Sequence, residues 1–300
     1  MTERMPAISL AAVPGRRAQT LELVADIERR GFSGIYCPSF GDAMGLCLSI
    51  AHVTNTIEFG TSIQPIYLQH PVALATSATY LHEIAEGRFR LGVGVTHGPV
   101  IERLRVDTGK PLSDMREYVG TMRKVSESMG GLPPVVLATL RDKMVGLASE
   151  VGDGAVWANA SRSRMGHSLG LLPSDRDDFW IGNMIPTVID DDIDAARARN
   201  RKTLQGYVAL PNYRNYWIEA GYEAEMSAVQ NALEAGDKDG VIAAMSDAWL
   251  DDCTLSGSVG RVRDGVEAWF DAGVTAPIIV PSSTSGGQVK AFAELFDAFS

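Results

Sequence analysis

Few ionisable side chains occur where the active site of this chain is expected. The sequence alternates short apolar runs, which we interpret as strands, with helical patterns. In α/β barrels, which have this alternation, catalytic groups lie just beyond the carboxyl ends of the strands. Among the residues that follow the runs, only His97 and Asp190 titrate. Asp190 opens three consecutive aspartates and is expected to cap a helix.

This shortage excludes several kinds of catalysis by the polypeptide alone. Schiff-base chemistry needs a lysine in the pocket, and all six lysines fall on predicted helices or loops. The five histidines show no paired spacing that would suit a metal, and no pair of carboxylates follows the strands as glycoside hydrolysis requires. A bound cofactor is therefore expected to supply the chemistry.

His97 follows the run LGVGVT and has two interpretations of equal weight. An imidazole titrates near neutrality, so His97 can donate a proton or a hydrogen bond to a cofactor or substrate. A loop histidine can equally be structural. Within the same run, Gly92 and Gly94 lack the third glycine of a dinucleotide fingerprint. They are interpreted as admitting either a large flat ligand or tight packing.

Two turns are candidate anion sites. At Ala138–Arg141 a predicted strand ends and a helix begins, so free backbone N–H groups and the positive end of the helix dipole would face a phosphate. Asn159–Ser161 offers a second set of small donors after the next strand. Helix capping alone accounts for both turns equally well.

The apolar runs predict the fold. They are nearly continuous, which is typical of parallel strands covered on both faces. Eight runs separated by helices indicate a (β/α)8 TIM barrel, with a doubly wound open sheet as the alternative. The runs are Ile8–Val13, Gly34–Pro38, Ile57–Ile63, Phe89–Val95, Val135–Ala138, Gly154–Trp157, Trp180–Ile189 and Pro277–Pro281.

The alternation is interrupted before the last strand. Residues 207–256 are predicted to form a helical insertion without a convincing strand, within one domain that covers residues 1–300. Its first part is rich in aromatic residues, which either pack extra helices onto the barrel or a partner subunit, or form part of a lid over the active site. These residues are Tyr207, Tyr213, Tyr216, Trp217 and Tyr222.

Composition limits the class of protein. The 300 residues are 45% hydrophobic and 21% charged, as in ordinary globular proteins, and no apolar run is long enough to span a bilayer. A net charge of −10 without a basic patch argues against nucleic-acid binding. Three cysteines without CxxC spacing indicate neither a disulfide framework nor a zinc site. A soluble, cytoplasmic protein with a small-molecule substrate is expected.

Four segments resemble the luciferase-like flavin- or deazaflavin-dependent oxidoreductases. They include GTSIQPIYLQHPVALATSATYLHEIAEGRFRLGVGVTH (Gly60–His97) and PPVVLATLRDKMVGLASEVGDGAVWANAS (Pro133–Ser161). GYVALPNYRNYW (Gly206–Trp217) and the closing Ser256–Ser283 resemble the branch that uses the deazaflavin coenzyme F420. The resemblance implies a (β/α)8 barrel, a homodimer, and a cis peptide at Ser62-Ile63 behind the cofactor ring.

The resemblance also implies roles for individual residues. Ser62 and Ile63 would support the ring, Gly94 would admit it, and the ends of the fifth and sixth strands would bind the phosphate. Together the candidate cofactor-binding residues are Ser62, Ile63, Gly94, Thr139, Leu140, Trp157, Asn159, Ala160 and Ser161. The candidate catalytic residues are His97, Thr96 and Ser39.

The sequence departs from the family pattern at two positions. Pro38-Ser39-Phe40 stands where many relatives have Asp-His-Phe, and His97 stands where several have a glutamate. Alcohol oxidation by a His/Glu set is thus disfavoured. The predicted function is hydride transfer between F420 and a small substrate with an activated C=C, C=N or C=O bond. The alternatives are an FMN-dependent monooxygenase and a non-catalytic flavin or deazaflavin carrier.

Overall fold

A computed structural model describes residues 4–173, 176 and 178–299. The chain divides into two compact units. The first unit contains Met1–Trp157 and Gly170–Gly182, and the second contains Ala158–Leu169 and Asn183–Ser300. No helix in the described part of the chain is long and apolar enough to span a membrane.

All eight predicted strands are present among the described residues, together with two short additional ones. The strands are β1 (Ala7–Ser9), β2 (Gly34–Cys37), β3 (Glu58–Thr61), β4 (Gln64–Pro65), β5 (Phe89–Gly94), β6 (Val135–Ala138), β7 (Gly154–Ala158), β8 (Trp180–Ile189), β9 (Leu255–Gly257) and β10 (Ala276–Ser282).

Helices separate the strands along the described chain. They are α1 (Arg17–Arg29), α2 (Ala43–Val53), α3 (Pro71–Ile84), α4 (Gly98–Leu104), α5 (Pro111–Ser126), α6 (Asp142–Val151), α7 (Met165–Leu169), α8 (Ile193–Val208), α9 (Pro211–Glu219), α10 (Glu223–Ala235), α11 (Lys238–Ala243), α12 (Asp247–Cys253), α13 (Val259–Asp271) and α14 (Gln288–Ala298).

The first unit contains parallel strands in the order β1-β2-β3-β5-β6-β7, with β4 beside β5. Ile35 pairs with Ile8 on one side and Phe59 on the other, and all three side chains are fully buried. A doubly wound sheet reverses its strand order, whereas the order here follows the chain from β1 to β7 without a reversal. The (β/α)8 barrel is therefore confirmed, and the open sheet is excluded.

The second unit contains the predicted helical insertion. Helices α9 to α12 lie between α8 and β9, and they bury Tyr216, Trp217 and Trp249 completely. The expectation that this stretch has no strand was wrong at β9, which pairs in parallel with the end of β8. A three-residue strand is too short to show a period in the sequence.

The cap of helix α8 differs from the prediction. Asp192 is the N-cap, because its carboxylate accepts hydrogen bonds from the amides of Asp194 and Ala195. The predicted cap, Asp190, lies two residues earlier, where it accepts bonds from the Asp192 amide and the Thr284 hydroxyl. These two hydrogen bonds lower the pKa of Asp190.

Candidate functional site

The end of strand β3 has the predicted backbone feature. The Ser62-Ile63 peptide is cis, as expected, and it is the only cis bond among the described residues. The amide of Ser62 donates a hydrogen bond of 2.7 Å to the carbonyl of Cys37, at the end of β2. The Ser62 side chain is buried.

Gly92 and Gly94 permit close packing between neighbouring strands. A Cβ atom added at Gly94 would lie 2.7 Å from Cβ of Ala138 and 2.8 Å from Cγ1 of Ile63. A Cβ atom at Gly92 would lie 1.9 Å from the carbonyl oxygen of Thr61. Of the two interpretations of these glycines, tight packing thus accounts for both, and it brings Ile63 against β5.

Three buried polar atoms at the ends of β5, β6 and β7 have no hydrogen-bond partner. They are Oγ1 of Thr96, Oγ1 of Thr139 and Nε1 of Trp157. An unpaired buried polar group costs about 1–3 kcal/mol. Three such donors in one unit, at the ends of adjacent strands, are the arrangement expected of a site whose ligand supplies the acceptors.

The other candidate residues of the first unit differ in exposure. Leu140 is buried, whereas Ser39 is exposed.

His97 occupies the N-cap position of α4, and its carbonyl accepts a hydrogen bond from the Val100 amide. Desolvation lowers the pKa of His97 below its ordinary value. At pH 7 the imidazole is therefore mostly neutral.

The charged pair of this unit lies at the other end of the strands. Arg90 makes three hydrogen bonds of 2.9–3.2 Å to the carboxylate of Glu58, the first residue of β3. Burial raises the pKa of the neighbouring Tyr36, and so does the charge of Glu58. In barrels the amino end of the strands contributes to stability, so this pair is separate from the candidate site.

In the second unit, the amides of the predicted anion site are already bonded. Asn159 donates to the carbonyl of Met184 at 3.0 Å, and Ala160 donates to Oδ1 of Asn183 at 3.3 Å. Ser161 donates to the hydroxyl of Tyr216 at 3.0 Å. These three backbone groups thus have no N–H left to offer a phosphate.

Aromatic side chains of the insertion pack around the same turn. Nε1 of Trp217 donates to the carbonyl of Asn159 at 3.3 Å, and the Trp217 ring lies 4.9 Å from Trp249 and 5.4 Å from Tyr213. Tyr207 lies 5.1 Å from Tyr213. The prediction that these residues pack extra helices is thus supported within this unit.

Sequence reasoning missed Asn183, Tyr216 and Trp217 as neighbours of the candidate residues. Asn183 is fully buried in β8, where it interrupts an apolar run, and this polar residue was the available signal. Tyr216 and Trp217 belong to the aromatic-rich part of the insertion, but nothing in the sequence indicated their partners. Their partners, Ser161 and Asn159, lie more than 50 residues away in the sequence.

The described residues contain no group of three or more His, Cys, Asp or Glu side chains that could hold a metal ion. Cys37, Cys47 and Cys253 are all buried and reduced. Burial raises the pKa of the Cys47 and Cys253 thiols, so neither resembles an activated nucleophile.

Comparison with known proteins gives consistent matches along the chain. A model of the family described as luciferase-like monooxygenase matches residues 6–276. The chain is 28% identical to a 5,10-methylenetetrahydromethanopterin reductase of Archaeoglobus fulgidus, covering 80% of this chain and 81% of the relative. It is 26% identical to a putative coenzyme F420-dependent oxidoreductase of Mycobacterium tuberculosis, covering 91% and 93%.

Solved structures show the same fold. The coenzyme F420-dependent tetrahydromethanopterin reductase of Methanopyrus kandleri superposes with a TM-score of 0.75 at 16% identity, over 98% of both chains. The oxygenating constituent of 3,6-diketocamphane monooxygenase of Pseudomonas putida, solved with FMN, gives 0.64 at 18% identity, over 98% of this chain and 96% of that one.

Proposed function

Because the chain belongs to the luciferase-like monooxygenase family, we propose that it is an F420-dependent oxidoreductase. The proposed reaction transfers a hydride between the coenzyme and a small organic substrate with an activated C=C, C=N or C=O bond. One observation carries the proposal: three buried, unpartnered donors lie at the ends of β5, β6 and β7. These donors suit a ligand rich in oxygen and nitrogen acceptors, as deazaflavins and flavins are.

The proposed cofactor-binding residues fit such a group. Ile63 packs against Gly94 and provides an apolar surface for a ring, while Thr139 and Trp157 provide donors. When bound, the deazaflavin would donate or accept a hydride at C5. The remaining candidates of the first unit, Ser62 and Leu140, are proposed as further contacts.

His97 is proposed as the residue that moves the proton. Reduction of a double bond requires one proton for each hydride, and among the candidate catalytic residues only His97 titrates near neutrality. Its lowered pKa makes the imidazolium a stronger acid than an ordinary histidine. Thr96, directly before it, has an unpartnered hydroxyl that can orient a substrate oxygen or nitrogen. Ser39 is exposed and can donate a hydrogen bond to substrate.

A second candidate function is an FMN-dependent monooxygenase. It is favoured by the description of the matching family and by the FMN-bound structure of the same fold. Its chemistry requires oxygen to react with the reduced cofactor, whereas reduced deazaflavin reacts poorly with oxygen. A carrier without catalysis is the third candidate, since the usual strand-two histidine is replaced by Ser39.

Cofactor titration and turnover distinguish these functions. We expect the purified protein to quench F420 fluorescence at micromolar concentrations, and to oxidise reduced F420 when supplied with enones or imines. Preferential binding of FMN, with oxygen consumption after reduction, would favour the monooxygenase. Tight F420 binding without turnover on enones, imines or alcohols would indicate a carrier.

Replacing Thr139 by valine tests the role of the unpartnered donors. The variant loses a buried hydroxyl without a partner, so we expect the free energy of unfolding to stay equal or rise by up to about 1 kcal/mol, while the Kd for the cofactor rises about tenfold. Urea unfolding and fluorescence titration measure the two quantities.

Thr61→Val is the matched control for Thr139→Val. Thr61 is also a buried threonine of the first unit, but its hydroxyl donates a 2.7 Å bond to the carbonyl of Gly92. We expect this variant to lose about 1–2 kcal/mol of stability. Equal destabilisation of the two variants, with unchanged cofactor affinity in Thr139→Val, would contradict the assigned role of Thr139.

A further inference from the structure

The stretch between His97 and α5 has little support from packing. It comprises α4 and the residues up to Gly109, and we call it the α4 segment (residues 98–109). All 7 residues of α4 lie in the described part of the chain, and none of them is buried. A short helix without buried side chains gains little stability from packing. The position of the α4 segment therefore depends on hydrogen bonds at its two ends.

The first end of the α4 segment is joined to His97. The carbonyl of His97 accepts hydrogen bonds of 2.9 Å from the Val100 amide and 3.2 Å from the Ile101 amide. These bonds form the first turn of α4, so His97 and this turn share one stretch of backbone. A change in the direction of α4 is thus expected to move the imidazole.

The second end of the α4 segment is held by Asp114, in the first turn of α5. Oδ2 of Asp114 accepts a hydrogen bond of 2.9 Å from the amide of Gly109. The fit is close, because a Cβ atom added at Gly109 would lie 2.5 Å from Oδ1 of the same carboxylate. A carboxylate binds a backbone amide more strongly than a neutral acceptor does. This bond is therefore an effective tether for the segment.

The same carboxylate also bonds the loop after β4. The hydroxyl of Tyr67 donates a hydrogen bond of 2.7 Å to Oδ2 of Asp114. Desolvation raises the pKa of Tyr67, and so does the hydrogen bond to Asp114, so the hydroxyl keeps its proton and remains a donor. Asp114 thus connects the α4 segment with the loop that follows the cis peptide at Ser62-Ile63.

We infer that Asp114 is a positioning residue for His97, because it holds the far end of the α4 segment against the loop after β4. The inference rests on the proposed function, in which His97 moves the proton. Small displacements of a catalytic group lower the rate by large factors. A tether that does not touch the substrate can therefore affect the chemical step.

Trypsin cleavage of the full-length protein tests the tether without any cofactor. Arg103 and Arg105 are exposed residues of the α4 segment, and cleavage after them requires the segment to open. Asp114→Ala removes the acceptor of both hydrogen bonds, so we expect cleavage at the two arginines to become about tenfold faster, as followed by mass spectrometry. Asp114→Asn keeps an oxygen acceptor and should bring the rate to within about twofold of the wild type.

Tyr118→Phe is the matched control. The Tyr118 hydroxyl, one turn further along α5, donates a hydrogen bond of 2.8 Å to the carbonyl of Gln69, which lies in the loop after β4 and outside the α4 segment. Its loss should leave the cleavage rate unchanged. Gly109→Ala is a second test that keeps the carboxylate. The added methyl group would displace Oδ1 of Asp114, so cleavage should become faster, as in Asp114→Ala.

Two further measurements test the effect on His97. Desolvation lowers the pKa of His97, and a loosened α4 segment admits water, so NMR titration of Asp114→Ala should give a pKa closer to that of an ordinary histidine. With reduced F420 and an enone, kcat should fall about tenfold, while the Kd for F420 changes by less than about twofold. Asp114→Asn should return the pKa and kcat towards the wild type, and Tyr118→Phe should leave both unchanged.

Unchanged cleavage in Asp114→Ala would overturn the inference, and Gly109→Ala decides the question if Asp114→Ala does not fold. Faster cleavage with an unchanged pKa of His97, or with an unchanged kcat in a protein that turns over F420, would also overturn it, because the tether would then be structural only. A protein with faster cleavage and a shifted pKa, but without turnover of F420, would contradict the proposed function and support the role of Asp114 in placing His97.

Discussion

Replacing His97 by alanine is expected to lower kcat for substrate reduction about 100-fold, with little change in the Kd for F420. The side chain is assigned to the proton, which is needed only as the double bond is reduced. Its removal therefore affects the chemical step more than cofactor binding. Steady-state kinetics with reduced F420, together with fluorescence titration, measure the two quantities.

The pH profile gives an independent test of the same assignment. Desolvation lowers the pKa of His97, and reduction requires the protonated imidazole. The reduction rate should then fall as pH rises through an apparent pKa lower than that of an ordinary histidine, and the reverse reaction should become faster over the same range. His97→Ala should lose this dependence, whereas His52→Ala, an exposed histidine on α2, should keep it. Unchanged kcat in His97→Ala would show that the residue is structural.

The strands were predictable because each is a short, nearly continuous apolar run. Phe89–Val95 and Trp180–Ile189 were recognised within a residue of their observed bounds. Burial on both faces makes such runs apolar throughout, so this pattern survives in the sequence without any long-range information. Gly31 and Gly87 follow α1 and α3 and have positive φ, so a glycine after a helical pattern is a second local signal, which marks where a helix ends.

Details that depend on distant partners were not predictable. The turn at Asn159–Ser161 looks like a set of free donors in the sequence, yet Asn183 and Tyr216 occupy two of its amides. Asp190, the predicted cap of α8, instead accepts a hydrogen bond from the Thr284 hydroxyl, 94 residues away in the sequence. Short-range sequence patterns give no information on these contacts, because the partners are far apart in the sequence.

The candidate site could be predicted only in part. Its location followed from the rule that barrel sites lie at the carboxyl ends of strands, and the cis peptide at Ser62-Ile63 followed from the family resemblance. Which donors lack partners could not be read from the sequence. Thr61 and Thr139 are both buried threonines at strand ends, and only the structure shows that one hydroxyl is bonded and the other is not.

Gly92→Ala is expected to destabilise the protein by about 3 kcal/mol or more, as a severe case of overpacking. A Cβ atom at this position would lie 1.9 Å from the carbonyl oxygen of Thr61, and that backbone is fixed by its own strand pairing. The hydroxyl of Thr61 also bonds the Gly92 carbonyl, so β3 cannot move away from β5 without losing this bond. Urea unfolding of the wild type and the variant gives the difference in free energy.

Gly120→Ala provides the control of opposite sign. Gly120 lies on α5 with no heavy atom within 4 Å of its would-be Cβ, so alanine there should stabilise the protein by about 0.5–1 kcal/mol through helix propensity. A Gly92→Ala protein with the wild-type unfolding midpoint would mean that β3 and β5 can separate to admit a methyl group. The close contact that places Ile63 against β5 would then be too loose to position a cofactor ring.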